Sequence, residues 1–217
     1  MTHSLNEIEG LSTKAVRGAG VPWGLAEEAG KAARWLAAHG QPAADVLVGT
    51  LDLIDGRSYG DLRPVREGER WVGRAGLLCP LIVGITLCDH AETIAAGEGF
   101  KTGPIAYPLL VAPFVAAAQR AVGSAFVLEW PGVSIGVDEA GLHLATGTDA
   151  LAVAADELVC EPRSQLPPGA VISASTGGIA VDPAPLARLG AYAHRTYVPA
   201  SEASRERGAG AGLDDND

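Results

Sequence analysis

The hydrophobic period changes once along this chain, near residue 123, and that change limits the available folds more than any other feature. Upstream, apolar residues recur at helical spacing. Leu5, Ile8, Leu11 and Ala15 mark one face of a helix over 5–17, and Ala44, Leu47, Leu51 and Ile54 mark one over 43–54. Downstream the period falls to two: Val133, Ile135 and Val137 alternate with Ser134, Gly136 and Asp138, as in a strand with one wet face. Helices first, short strands next and a helix last predict an α+β fold. Its expected parts are an N-terminal helical layer, central helices, a mostly antiparallel sheet, and a C-terminal helix with an ordered tail.

Local signals place the boundaries. Ser4 and Glu7 form a capping box, and Gly18 and Gly20 suit the end of the first helix. A second helix is predicted over about 25–38. Ala26, Gly30, Ala33 and Ala37 give it a stripe of small residues that lets another segment approach closely, and Glu27 stands at i,i+4 to Lys31. His39-Gly40 closes it. Residues 56–73 lack an apolar period and are expected to be a long surface loop. The run 75–96 suits a buried helix with Pro80 in its first turn, 97–103 a glycine-rich loop, and 107–122 a helix opened by Pro108 and bent or delayed by Pro113.

Strands are expected at 125–130, 133–137 and 142–145, with turns at Pro131-Gly132 and Glu139-Ala140-Gly141. Further candidates lie at 151–153, 157–160, 171–175 and 179–181. Asp182 followed by Pro183 predicts a final helix over 183–195.

At 217 residues the chain suits a single globular domain, with a helical part about 1–122 and a sheet-rich part about 123–217. A hydrophobic content of 47% and mean hydropathy of +0.17 exclude general disorder. A net charge of −10 argues against nucleic acid, whose phosphates must be neutralised by Lys and Arg. The most apolar runs, 75–88 and 104–118, are too short and too interrupted to span a bilayer. Cys79, Cys88 and Cys160 are an odd set in apolar surroundings and read as buried thiols of a cytoplasmic protein.

Three places could carry chemistry. In the closing segment, Ser201, Ser204, Arg205, Arg207 and the amides of Gly208 and Gly210 could bind a carboxylate or phosphate, with Asp214 or Asp215 as base; the alternative is a solvated acidic tail. Arg-Gly-Ala-Gly occurs there at 207–210 and also at 17–20, so each copy places an arginine beside flexible amides. Near the N-terminus, Arg17, Trp23 and Glu27 or Glu28 could orient a substrate, or tie two helices together. Adjacent helical carboxylates point about 100° apart, so one of the two at most faces inward. The third place, Cys88-Asp89-His90-Ala91-Glu92, lacks the spacing of a metal site. His143 is expected on the wet face of its strand, and His194 at a helix C-terminus.

Residues 4–9, 14–20, 23–31 and 195–217 together resemble a bacterial family that carries a domain of unknown function, strongly at both ends of the chain and loosely in the middle. The resemblance implies a shared fold and supplies no activity. On the residues themselves, the expectation is a small-molecule enzyme or ligand-binding protein for a small anionic metabolite. Arg205 and Arg17 would bind the anion, with Asp215 or Glu28 as acid or base. The rival is a non-catalytic subunit that docks Tyr197-Val198-Pro199 on a partner. The small-residue stripe would equally suit a homo-oligomer. No cofactor is implied.

Overall fold

The computed structural model describes residues 2–74, 76–144 and 150–197. Strand β1 (Thr2–His3) leads into α1 (Leu5–Gly18). There the Ser4 hydroxyl accepts from the Glu7 amide at 3.2 Å, and the Glu7 carboxylate accepts from the Ser4 amide at 2.7 Å, completing the capping box. Helices α2 (Trp23–Ala38) and α3 (Ala43–Ile54) follow at the predicted places.

The small-residue stripe of α2 serves an intrachain contact. A methyl group built on Gly30 would lie 2.1 Å from the Thr13 hydroxyl and 2.9 Å from the Glu9 carbonyl, so α1 crosses α2 backbone to backbone. Lys31 pairs with Glu28 at 2.7 Å, three residues away, and not with Glu27, which points to solvent.

The expected loop over 56–73 is structured instead. Ser58 caps a single turn, α4 (Tyr59–Leu62), and strands β2 (Pro64–Glu67) and β3 (Arg70–Gly73) form a hairpin about Gly68 at φ 60°. The hairpin stands at the edge of the sheet. One face alone needs apolar residues there, and Val65 paired with Val72 supplies too few for a visible period.

Helix α5 (Pro80–Asp89) carries Pro80 in its first turn, as expected, and α6 (Ala91–Thr93) runs into a π-turn over Ile94–Glu98. The glycine-rich stretch that follows contains β4 (Phe100–Thr102), because the Phe100 and Thr102 side chains are buried on the sheet. Strand β5 (Ile105–Ala106) precedes a 3-10 turn at Pro108–Val111, and α7 (Ala112–Val122) begins with Pro113 in its first turn. The two prolines therefore divide the expected helix. Tyr107 stands before them at φ 41°, with its ring against Gly49 of α3.

Strands β6 (Phe126–Trp130), β7 (Val133–Asp138) and β8 (Gly141–Leu144) form the predicted meander. They are followed by β9 (Ala154–Ala155), β10 (Val159–Pro162), β11 (Ala170–Ile172) and β12 (Ile179–Ala180). The expected strand at 151–153 is displaced to β9. Helix α8 (Pro183–His194) opens with the Asp182 carboxylate accepting from the Ala184 amide at 3.0 Å.

Eight strands make one sheet in the order β11-β8-β7-β6-β10-β4-β3-β2. Among the described residues its pairs are antiparallel except β3–β4, which are parallel and joined through α5, the crossover that parallel neighbours require. Phe126, Leu128, Trp130, Ile135, Val137 and Leu142 point to one face, which packs on the helices.

The opposite face is drier than its alternation suggests. Leu166 and Pro167 lie against Gly136, where a methyl group would meet both at 3.0–3.1 Å. His143 is accordingly half-buried, not on a wet face, with Nε2 2.9 Å from an Asp138 oxygen. One continuous cluster of buried side chains runs from Ile8 in α1 to Ala193 in α8.

Candidate functional site

Helix α2 ends in Trp35, three buried residues and His39, a spacing that puts the two rings on one face one turn apart. Their centroids are 3.9 Å apart. His39 is 4% exposed. Its Nδ1 lies 2.7 Å from the Trp35 carbonyl oxygen, which can only accept, so Nδ1 carries the proton and Nε2 presents a lone pair. Burial lowers the imidazole pKa below its ordinary 6.5, against the opposing effect of the Trp35 carbonyl, and the ring is neutral at pH 7.

His39, Trp35 and Ala174 stand where two hollows meet. The first, about 500 Å³, is walled by the start of α1, the last turns of α2 and residues 174–176. Lys31 and Arg34 line it together with Ser4, Asn6, Ser175 and Thr176, and among the described residues no carboxylate lines it. The acidic partners of its cations stand back from the hollow. Glu28 holds Lys31 and raises its pKa, while Glu9 accepts from Arg34 at 3.0 Å, alongside a short bond from Arg34 to Asn6. Each cation keeps further N–H donors for a guest, three on an ammonium and five on a guanidinium before these bonds.

The second hollow, about 680 Å³, lies between α2, the end of α7 and the β7–β8 turn, with Gln119, Arg120, Asp138 and Glu139 in its wall. One oxygen of Asp138 is already engaged. Burial works to raise its pKa, but the His143 ring, the Ala140 amide at 2.9 Å and the Gly141 amide at 3.3 Å hold it below the usual value.

The segment bounding the junction is anchored from both ends. β11 pairs with β8, the Ser175 amide donates to the Ala38 carbonyl at 2.7 Å, and β12 pairs with β1.

The described residues among those singled out from sequence fall elsewhere. Arg17 donates to the Val21 carbonyl at 2.5 Å and lies 5.3 Å over the Trp23 ring, an arrangement that closes the α1–α2 turn. Trp23 is 62% exposed and borders a separate shallow hollow over Asn6, Glu9 and Thr13. Glu28 reaches the first hollow only through Lys31. Arg17, Trp23 and Glu28 thus do not converge on one cavity. Ser201, Ser204, Arg205, Gly208, Gly210 and Asp215 lie outside the described residues, as does the second Arg-Gly-Ala-Gly copy.

In the third candidate place, Cys88 donates to the Phe114 carbonyl at 3.3 Å and His90 Nδ1 to the Thr86 carbonyl at 2.8 Å, so both are engaged by backbone. His194 sits in the last turn of α8, as predicted. Sequence reading passed over His39 as a mere helix end. The available signal was Trp35 one turn before it.

An α+β protein with a neutral buried imidazole in the walls of two hollows is the class that this geometry defines. Residues 3–76 match a family model described as a protein of unknown function, DUF3726. The match lies at the N-terminal end of the chain, and the likeness read in the closing segment is not part of it. No curated protein matches the chain. The matched stretch supplies Ser4, Lys31, Arg34, Trp35 and His39 of the first hollow, whereas Ser175, Thr176 and most of the second hollow lie beyond it.

Proposed function

We propose that this chain is a small-molecule enzyme or ligand-binding protein for a small anionic metabolite, and that the anion sits in the first hollow, against Lys31, Arg34 and His39. The observation that carries the reading is His39: 4% exposed, neutral, its Nδ1 committed to Trp35, in a wall that also holds two cations and, among the described residues, no carboxylate. The other ring nitrogen, Nε2, stands in the wall of the hollow, where a donor on a ligand can take the place of water. The anion's charge is met by Lys31 and Arg34, and Nε2 accepts from a hydroxyl or N–H next to it. If chemistry occurs, Nε2 is the group that takes that proton. Both hollows are in the size range of small-molecule sites. A cytoplasmic setting fits the three free thiols.

The test is thermal unfolding with inorganic phosphate, acetate and a panel of small carboxylates and phosphate esters, on wild type, Arg34→Ala and His39→Gln. A ligand at a hundred times its dissociation constant adds about 2.7 kcal/mol of stability. Wild type is expected to gain several degrees with at least one anion, and Arg34→Ala to lose most of that gain. Equal gains in wild type and Arg34→Ala would place the anion elsewhere.

A further inference from the structure

We infer that the ligand is a polyhydroxylated anion, of the sugar-acid or sugar-phosphate kind, whose charged end lies in the first hollow and whose hydroxylated chain passes His39 and Ala174 into the second. The inference rests on the anion reading above and extends it to a substrate class.

The two hollows share Trp35, His39 and Ala174 in their walls, so a molecule longer than the anion itself that leaves the first along these residues comes to the second. Their linings differ in kind. Among the described residues, the first holds cations without carboxylates. The second mixes Gln119 and Arg120, which donate, with Asp138 and Glu139, which accept. A second anionic group would meet Asp138 and Glu139 there. An ammonium group would stand in the same wall as Arg120, and one Asp138 oxygen already accepts from the Ala140 and Gly141 amides.

A hydroxyl both donates and accepts, and it is the group that uses such a wall without leaving either sign unpaired. At the junction, Trp35 offers an apolar ring surface to the C–H face of a hydroxylated chain, while His39 Nε2 accepts from one hydroxyl on its other side. Aromatic surface flanked by paired donors and acceptors therefore fits this chemistry.

Calorimetric titration at pH 7.5 separates the readings, using gluconate, glucose 6-phosphate, hexanoate, sorbitol, acetate and inorganic phosphate as probes on the full chain. Gluconate or glucose 6-phosphate is expected to bind at least about tenfold more tightly than hexanoate, acetate or inorganic phosphate, which is about 1.4 kcal/mol. Which of the two binds better distinguishes a carboxylate from a phosphate end.

The double variant Gln119→Ala/Arg120→Ala is expected to bring the hydroxylated probe down to the level of its simple anion and to leave acetate and phosphate unchanged. Both substitutions are at the surface end of α7, and unchanged unfolding by circular dichroism checks that the fold survives. Arg34→Ala is expected to weaken every anion. Hexanoate binding as tightly as gluconate would overturn the hydroxylated class while the anion site stands. Sorbitol binding as tightly as gluconate, or no binding by any charged probe, would overturn the anion site itself.

Discussion

His39 and the glycines at helix crossings are the residues on which most of this molecule's chemistry and packing turn. Because burial depresses the His39 pKa, the folded chain holds fewer protons than the unfolded chain once pH drops below the unfolded value near 6.5. Stability is therefore level above about 6.5 and is lost as pH falls toward the folded pKa. Asp138, whose folded pKa is depressed, adds a separate loss further into the acid range as pH falls through that pKa. Urea midpoints measured from pH 8 to 5 should decline in wild type, and the part of the decline that begins near 6.5 should vanish in His39→Gln.

The glycines divide by what a methyl group would meet. On Gly18 it would lie 1.8 Å from the Tyr192 carbonyl oxygen, a backbone atom that cannot swing away. Gly18→Ala should cost about 3 kcal/mol in urea denaturation, at the upper end of overpacking. Gly10, in the same helix, meets nothing within 4 Å, so Gly10→Ala should stabilise by about 0.5–1 kcal/mol. The thiols should be inert in the native state. Cys88 is pushed up to about 11 by burial and the nearby Asp89, and burial also raises Cys79 and Cys160. A thiol reagent at pH 7.5 should label the buried Cys79 and Cys160 at the rate of unfolding, while rapid labelling of either in the native state would contradict its burial.

Among elements, α8 shows how tertiary contacts fix what capping begins. Its outer side reaches α3 through Asp52, which accepts from Arg188 at 2.6 Å and from the Tyr192 hydroxyl at 2.9 Å, and through Arg195 to Asp55 at 2.7 Å. Burial and the Asp52 carboxylate push the Tyr192 hydroxyl up to about 12, so it remains a donor. Asp52→Ala removes the partner of that part-buried hydroxyl and of Arg188 and should cost about 1 kcal/mol by urea denaturation.

The helices with strong caps and a clear stripe, α1, α2, α3 and α8, were legible in the sequence because local signals and apolar period agree. The β2–β3 hairpin and β4 were not, because an edge position demands few apolar residues and glycines masked the rest. The candidate site was less legible still. Nothing in the spacing of His39 and Gln119 says that a turn of α2, the end of α7 and residues 174–176 meet. Charged and serine-rich stretches drew attention to the closing segment, whereas the buried imidazole, hidden among alanines, carried the sharper chemical signal.

At the scale of the whole molecule, the stretch matched by the family model does not contain its own core. The inner face of α1 is closed by α8 at Gly18 and Tyr192. The α3 helix is closed by Tyr107, and the buried α2 side chains belong to the cluster that continues through α5 and α7. Residues 3–76 expressed alone should therefore show no cooperative thermal transition by circular dichroism, whereas the full chain should melt in one step. A cooperative transition in the short piece would mean that α1, α2 and α3 pack sufficiently without the rest.

The pinning of residues 173–176 has a kinetic meaning. A segment held by a sheet ladder before it, an amide bond to Ala38 within it and a second strand pair after it keeps one shape with or without a guest. Arrival of a ligand then needs no prior opening, and association proceeds at a rate set by encounter. Substitutions around His39 that change affinity should accordingly leave the on-rate nearly constant and appear in the residence time.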